Sequence, residues 1–131
     1  MARKKSLTLT DLETDIMNIV WQQREVTVRY VYETLRETKN LAYTTVLTVL
    51  GTLTKKGVVH REMKNRTYMY RPKMSHDEAV SRNLQYLAGK FFGGSAHSLA
   101  AHIVESEKLS RQELEELHKV IKEKLKEESE T

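Results

Sequence analysis

The chain contains no cysteine, which excludes a disulfide framework, a cysteine nucleophile, an iron–sulfur cluster and any thiolate metal site. One proline and five glycines are too few for a low-complexity linker, so ordered structure is expected along most of the 131 residues. No apolar run reaches the length of a membrane span, and none of signal-peptide length follows the basic start MARKKSLTLT. A cytoplasmic protein without membrane insertion is expected. There is no G-x-S-x-G turn and no phosphate-cradling glycine loop, so enzyme chemistry of those kinds finds no support. The five histidines include no pair at i+3 or i+4. His97 and His102, five apart, are poorly spaced for two ligands on one helix, and no carboxylate set surrounds them. No metal and no cofactor are expected, and the histidines read as surface or seam positions.

What is present is charge, unevenly placed. Residues 1–73 contain 14 Lys and Arg against 7 Asp and Glu, whereas residues 74–131 contain 8 against 11, so a net charge of +4 conceals a basic first half and an acidic second. A polyanionic partner suits the first half and a different task suits the second. A domain over 1–73 and another over 74–131 are the expected division.

Helix starts are clearly punctuated. Thr10 with Glu13, Ser75 with Glu78 and Ser110 with Glu113 have the capping-box spacing, in which hydroxyl and carboxylate satisfy free backbone amides. The first helix carries Leu12, Ile16, Ile19 and Val20 at helical spacing, and a second, capped by Thr27 and closed by Lys39 and Asn40, carries Val28, Val31, Tyr32 and Leu35. A third, from about Tyr43 to Lys56, buries Val46, Val49, Leu50 and Leu53 and ends at Gly57. Then the period switches to two: VVHRE and TYMYR read as strands separated by MKNR, where Asn65 can supply the turn. Helix returns from Ser75 to about Phe92, and Gly93 and Gly94 break it.

Three helices followed by a basic hairpin is the arrangement of winged helix-turn-helix domains, in which the last helix enters the major groove and the hairpin lies along the duplex backbone. The expected fold class is therefore mainly α with a small β-wing, followed by a helical C-terminal domain. Opposite its apolar side the third helix presents Thr44, Thr45, Thr48, Thr52 and Lys55, with Tyr43 at its start. Threonine hydroxyls can bond a base edge or a phosphate, and their methyls can pack on a thymine methyl. A solvated helix face would ordinarily be built from Glu, Lys or Ala rather than β-branched threonines. Near the wing tip Arg61, Lys64 and Arg66 can reach phosphates. Winged helices also serve as protein-interaction adaptors; the basic tip, and the absence of any carboxylate from Thr44 to Lys56, favour DNA over that alternative.

The runs VTVRYVYETL, LAYTTVLTVLGTLTKKGVV and NRTYMYRP resemble the penicillinase-repressor family of bacterial transcription factors, the BlaI/MecI group, and SLAAHIVESEKLSRQELEELHKVI is similar to that family's dimerisation region. The likeness runs from about Leu9 to Lys126. It implies a homodimeric winged-helix repressor that binds palindromic operators in double-stranded DNA and is released by a signal, in the setting of antibiotic-resistance or stress control. In antibiotic-resistance members a membrane sensor protease leads to cleavage at an Asn–Phe bond in the helix that opens the dimerisation region. The matching position here is His102–Ile103. The asparagine is absent, so a regulatory protease would need a different preference, or release occurs otherwise.

The C-terminal pattern suits a dimer on its own terms. Leu84, Leu87 and Phe91 share one side of the fourth helix; Leu99 and Ile103 lie on the next, and Leu114, Leu117 and Ile121 on the last. So short a segment, poor in aromatics, hardly closes a core alone, and a two-fold partner offers the missing surface. The stripe could instead pack onto the first domain of the same chain.

Overall fold

Side-chain oxygens set where the helices begin. In the structure, a computed structural model that describes residues 8–130, Thr10 caps α1 (Asp11–Gln23): the Glu13 amide donates to Thr10 Oγ1 at 3.2 Å and the Thr10 amide donates to Glu13 Oε1 at 2.9 Å. Thr27 Oγ1 accepts from the Tyr30 amide at the start of α2 (Val28–Leu35). This helix stops short of the expected Lys39, and residues 36–39 continue as a turn. The helix α3 (Tyr43–Lys55) has no side-chain cap. Beyond it come β1 (Val59–Lys64), β2 (Thr67–Pro72), α4 (His76–Phe91), α5 (Ala96–Ser106) and α6 (Arg111–Ser129). At α6, Ser110 and Glu113 form the complete capping box. At α4 only half of the expected box forms. Ser75 Oγ accepts from the Glu78 amide, but the Glu78 carboxylate turns outward to Arg82 at 3.0 Å, an i,i+4 pair.

Gly57, at φ 77°, ends α3 and turns the chain into β1. The strands are antiparallel with Val59 opposite Pro72 and Lys64 opposite Thr67. Asn65 and Arg66 both have positive φ, the conformation of a two-residue type I′ turn whose twist matches the strands. The hairpin is thus tighter than the four-residue break expected at MKNR, because Met63 and Lys64 still pair with β2. Val26 exchanges two backbone hydrogen bonds with Tyr70, 3.0 and 2.7 Å, tying the connection between α1 and α2 to the root of the wing.

Ile16, Met17, Val20, Val31, Val46, Leu50, Leu53, Val58, Val59 and Tyr70 form the centre of the core, each almost wholly excluded from water. Full burial of such side chains contributes roughly 1.5–3 kcal/mol each. Met17 lies outside the stripe read from the sequence, and Leu12, Ile19, Tyr32 and Val49 are only partly buried. Glu13 is the buried charged residue among those described, and it accepts from the Lys56 ammonium at 2.9 Å. Burial pushes the Glu13 carboxyl up, but hydrogen bonds from Lys56 and Thr10, with the Lys56 charge, hold it below its ordinary value.

The chain divides into two compact units, the first ending at Tyr86 and the second beginning at Leu87. Most of α4, as far as Tyr86, belongs to the first unit, where Ala79 is buried and the Leu9 amide donates to Asn83 Oδ1 at 3.1 Å. Contact therefore divides the chain later than charge does. The mainly α fold with a small β-wing is the one expected.

Candidate nucleic-acid interface

Because Val46, Leu50 and Leu53 point into the core, the 3.6-residue period turns Thr44, Thr48 and Lys55 outward on α3, and all three are exposed. Thr45 sits at the flank and is half-buried, and Tyr43 is 45% exposed with its ring edge-on to Tyr32 at 5.6 Å. The hydroxyls of Thr52 and Thr54 donate back to the carbonyls of Thr48 and Leu50. Among the described residues, the hydroxyls of Thr44, Thr45 and Thr48 make no such bond, which leaves them available to a ligand. Gly51 shares this side of the helix, and nothing lies within 4 Å of where its Cβ would be.

On the wing, Arg61, Lys64 and Arg66 are all exposed. The Arg61 guanidinium lies 4.3 Å from the centre of the Tyr68 ring. The Lys64 ammonium is 2.8 Å from Glu25 Oε1, and its hydrogen bond holds that carboxyl below its ordinary value. Such an exposed pair is weak, so a phosphate can replace the carboxylate at little cost. Among the described residues Lys55 and Arg66 have no ion pair.

Strand register puts Arg61, Tyr68 and Tyr70 on one face of the hairpin, the face turned towards the helices through buried Tyr70. Between that face, the start of α2 and α3 lies a cleft of about 290 Å³ lined by Thr27, Arg29, Tyr43, Leu47, Arg66 and Tyr68 among others. Leu47, Tyr68, Thr27 and Arg29 are not among the interface residues expected from the sequence. The one available clue was that Leu47 falls outside the Val46, Leu50 and Leu53 stripe. A wider groove, about 760 Å³, opens at the wing's root beside Trp21, Arg24, His60, Arg71, Lys73 and His76.

In α4, Leu84, Leu87 and Phe91 are exposed, Phe91 at 76%, as are Ile103 in α5 and Leu114, Leu117 and Ile121 in α6. Leu99 differs: it is buried and offers little free surface. His102 and Ile103 are exposed in the interior of α5, and the His102 ring lies 5.6 Å from Phe92. Among the described residues no group of His, Asp and Glu could hold a metal ion, and no helix is long and apolar enough to cross a membrane.

Residues 9–123 match the family model described as penicillinase repressor. The chain is 39% identical over 103 residues to the transcriptional regulator BlaI of Mycobacterium tuberculosis, covering 77% of this chain and 75% of that protein. It is 24% identical over 120 residues to the penicillinase repressor of Bacillus licheniformis, covering 92% and 94%. A solved DNA-binding domain of the repressor BlaI superimposes with a TM-score of 0.51 at 25% identity, covering 58% of this chain and 93% of that one.

Proposed function

From the premise that the chain belongs to the penicillinase repressor family, we propose that it is a homodimeric transcriptional repressor that binds palindromic operators in double-stranded DNA. The observation that carries the reading is the juxtaposition on one unit of the unbonded hydroxyls of α3 and the exposed cations of the wing. In this reading α3 enters the major groove, with Tyr43, Thr44, Thr45 and Thr48 towards base edges and Lys55 towards a phosphate. Arg61, Lys64 and Arg66 bind the flanking backbone and supply affinity without sequence information. A regulator of this kind works where the chromosome is, in the cytoplasm, and performs no catalysis.

Dimerisation is supported by α6, none of whose described residues is buried although Leu114, Leu117, Val120, Ile121 and Leu125 recur at helical spacing. A second copy covering this stripe would tether two reading heads, and a palindrome with half-sites about one duplex turn apart, ~34–36 Å, is the target that such a pair suits. Release by a regulatory protease near His102–Ile103 would cut the dimerisation unit. That bond lies inside a helix, so α5 must open locally before cleavage.

The test is a footprint of the full chain over its own upstream region, followed by titration of the protected duplex. A protected palindrome is expected, and Thr48→Ala should lower discrimination between it and random duplex by about 1–3 kcal/mol. No protection, or unchanged discrimination with alanine at each of Thr44, Thr45 and Thr48, would contradict the reading.

A further inference from the structure

Leu47 is the exposed aliphatic residue on α3. It is 45% accessible, and it stands between Tyr43 and Gly51 at i−4 and i+4. Its neighbours Val46, Leu50 and Leu53 fill the core without it. An exposed leucine by itself needs no explanation. This one lines a cleft with Tyr43 of the same helix and Tyr68 of the wing, and Arg29 and Arg66 line the same cleft. Gly51, next along that side, adds no side chain to keep a large ligand away. The result is an apolar spot beside free hydroxyls, on a helix whose wing supplies cations.

In the major groove a duplex offers one apolar group among the base edges, the C5-methyl of thymine; the remaining groups there are hydrogen-bond donors and acceptors. We propose that Leu47 reads a thymine by packing its side chain on that methyl group. Thr48, next in sequence, and Tyr43 meet the polar edges alongside, and Arg29 and Arg66 fix the register through phosphates. The inference rests on the operator reading above and deepens it, since it names the base for which the cleft is built.

Uracil in place of thymine deletes the methyl and keeps every hydrogen-bonding group. The full chain should first be used to enrich a duplex from a random-sequence pool, and each thymine of that duplex then replaced by uracil in turn. At one or more positions the replacement should weaken binding about fourfold, the effect of withdrawing one methyl-sized group from apolar contact. Leu47→Ala should bind thymine and uracil forms equally at that position, and Leu47→Met should keep the preference. The salt slope of duplex binding should be the same in both variants as in the full chain, since neither removes a cation. Indifference of the full chain to uracil at every position would overturn the proposal. So would a preference retained in Leu47→Ala but lost in Thr44→Ser or Thr48→Ser, which would assign the methyl contact to threonine. A chain that enriches no sequence at all would overturn the operator reading itself, an outcome distinct from enrichment with indifference to the methyl.

Discussion

The two units solve the problem of a small core in opposite ways. The first surrounds Tyr70, Leu50 and Leu53 with side chains from four helices and both strands, and its centre is closed. In the second, Ala88 and Leu99 are the buried apolar residues among those described, while α6 turns a complete apolar stripe to water. One sequence pattern, apolar residues at helical spacing, thus has two outcomes. In the first unit the stripes face one another across a closed centre; in the second a stripe has regular spacing but no partner on its own unit. Regular spacing reports that a face will be covered and is silent on whether the cover comes from the same chain.

The contrast predicts unequal consequences for equal changes. The largest should follow from removing everything after Phe92. With one reading head instead of two tethered heads, affinity for the full palindrome should fall by about 10² to 10⁴, while thermal unfolding of the remaining unit stays cooperative. Next, Leu50→Ala should cost about 2–5 kcal/mol of stability by leaving a cavity. The same truncation at Leu125, measured where the chain is monomeric, should change stability by less than about 0.5 kcal/mol. Denaturant titration of both variants checks the pair, and similar losses would erase the distinction between the units.

A smaller effect should mark the Glu13–Lys56 pair of the first unit. The Glu13 carboxyl is held below its ordinary value, so its contribution to stability is present at neutral pH and is lost as pH falls through that depressed value. Glu13→Gln should remove about 2 kcal/mol at pH 7 and flatten the acid limb of the stability profile. An unchanged acid limb would show that the pair does not set it. The smallest change is expected at the wing tip. Arg66→Gly should relieve a non-glycine residue at φ 67°, stabilising the hairpin by up to about 1 kcal/mol. It should also lower the salt slope of duplex binding by about 0.9, one phosphate contact. A shifted base preference with an unchanged slope would mean that the arginine reads a groove.

Much of this molecule was legible because it is written locally. Thr10, Thr27 and Ser110 cap the helices they precede, Asn65 turns the hairpin, and the outward hydroxyls of Thr44 and Thr48 follow from helical spacing alone. What was not legible depends on residues far apart in sequence. Lys56 reaches back to Glu13, Val26 pairs with Tyr70, and Trp21 Nε1 donates to the Met74 carbonyl at 2.9 Å. Glu78 illustrates a local rule overtaken by a local competitor, since Arg82 one turn on takes the carboxylate that the capping box would use. Leu47 falls outside the apolar stripe of α3, but its place beside Tyr68 needs the wing folded back.

In the proposed dimer a second copy of the chain covers the face left open by the second unit. Sedimentation of the full chain and of Leu117→Asp, each alone and with the footprinted duplex, tests it most directly. A dimer that binds one palindrome is expected for the full chain. A folded monomer with much weaker binding is expected for the variant, whose new carboxylate would be unpaired in an apolar seam. A full chain that sediments as a monomer, or a Leu117→Asp monomer that binds the palindrome as tightly as the unaltered chain, would contradict it.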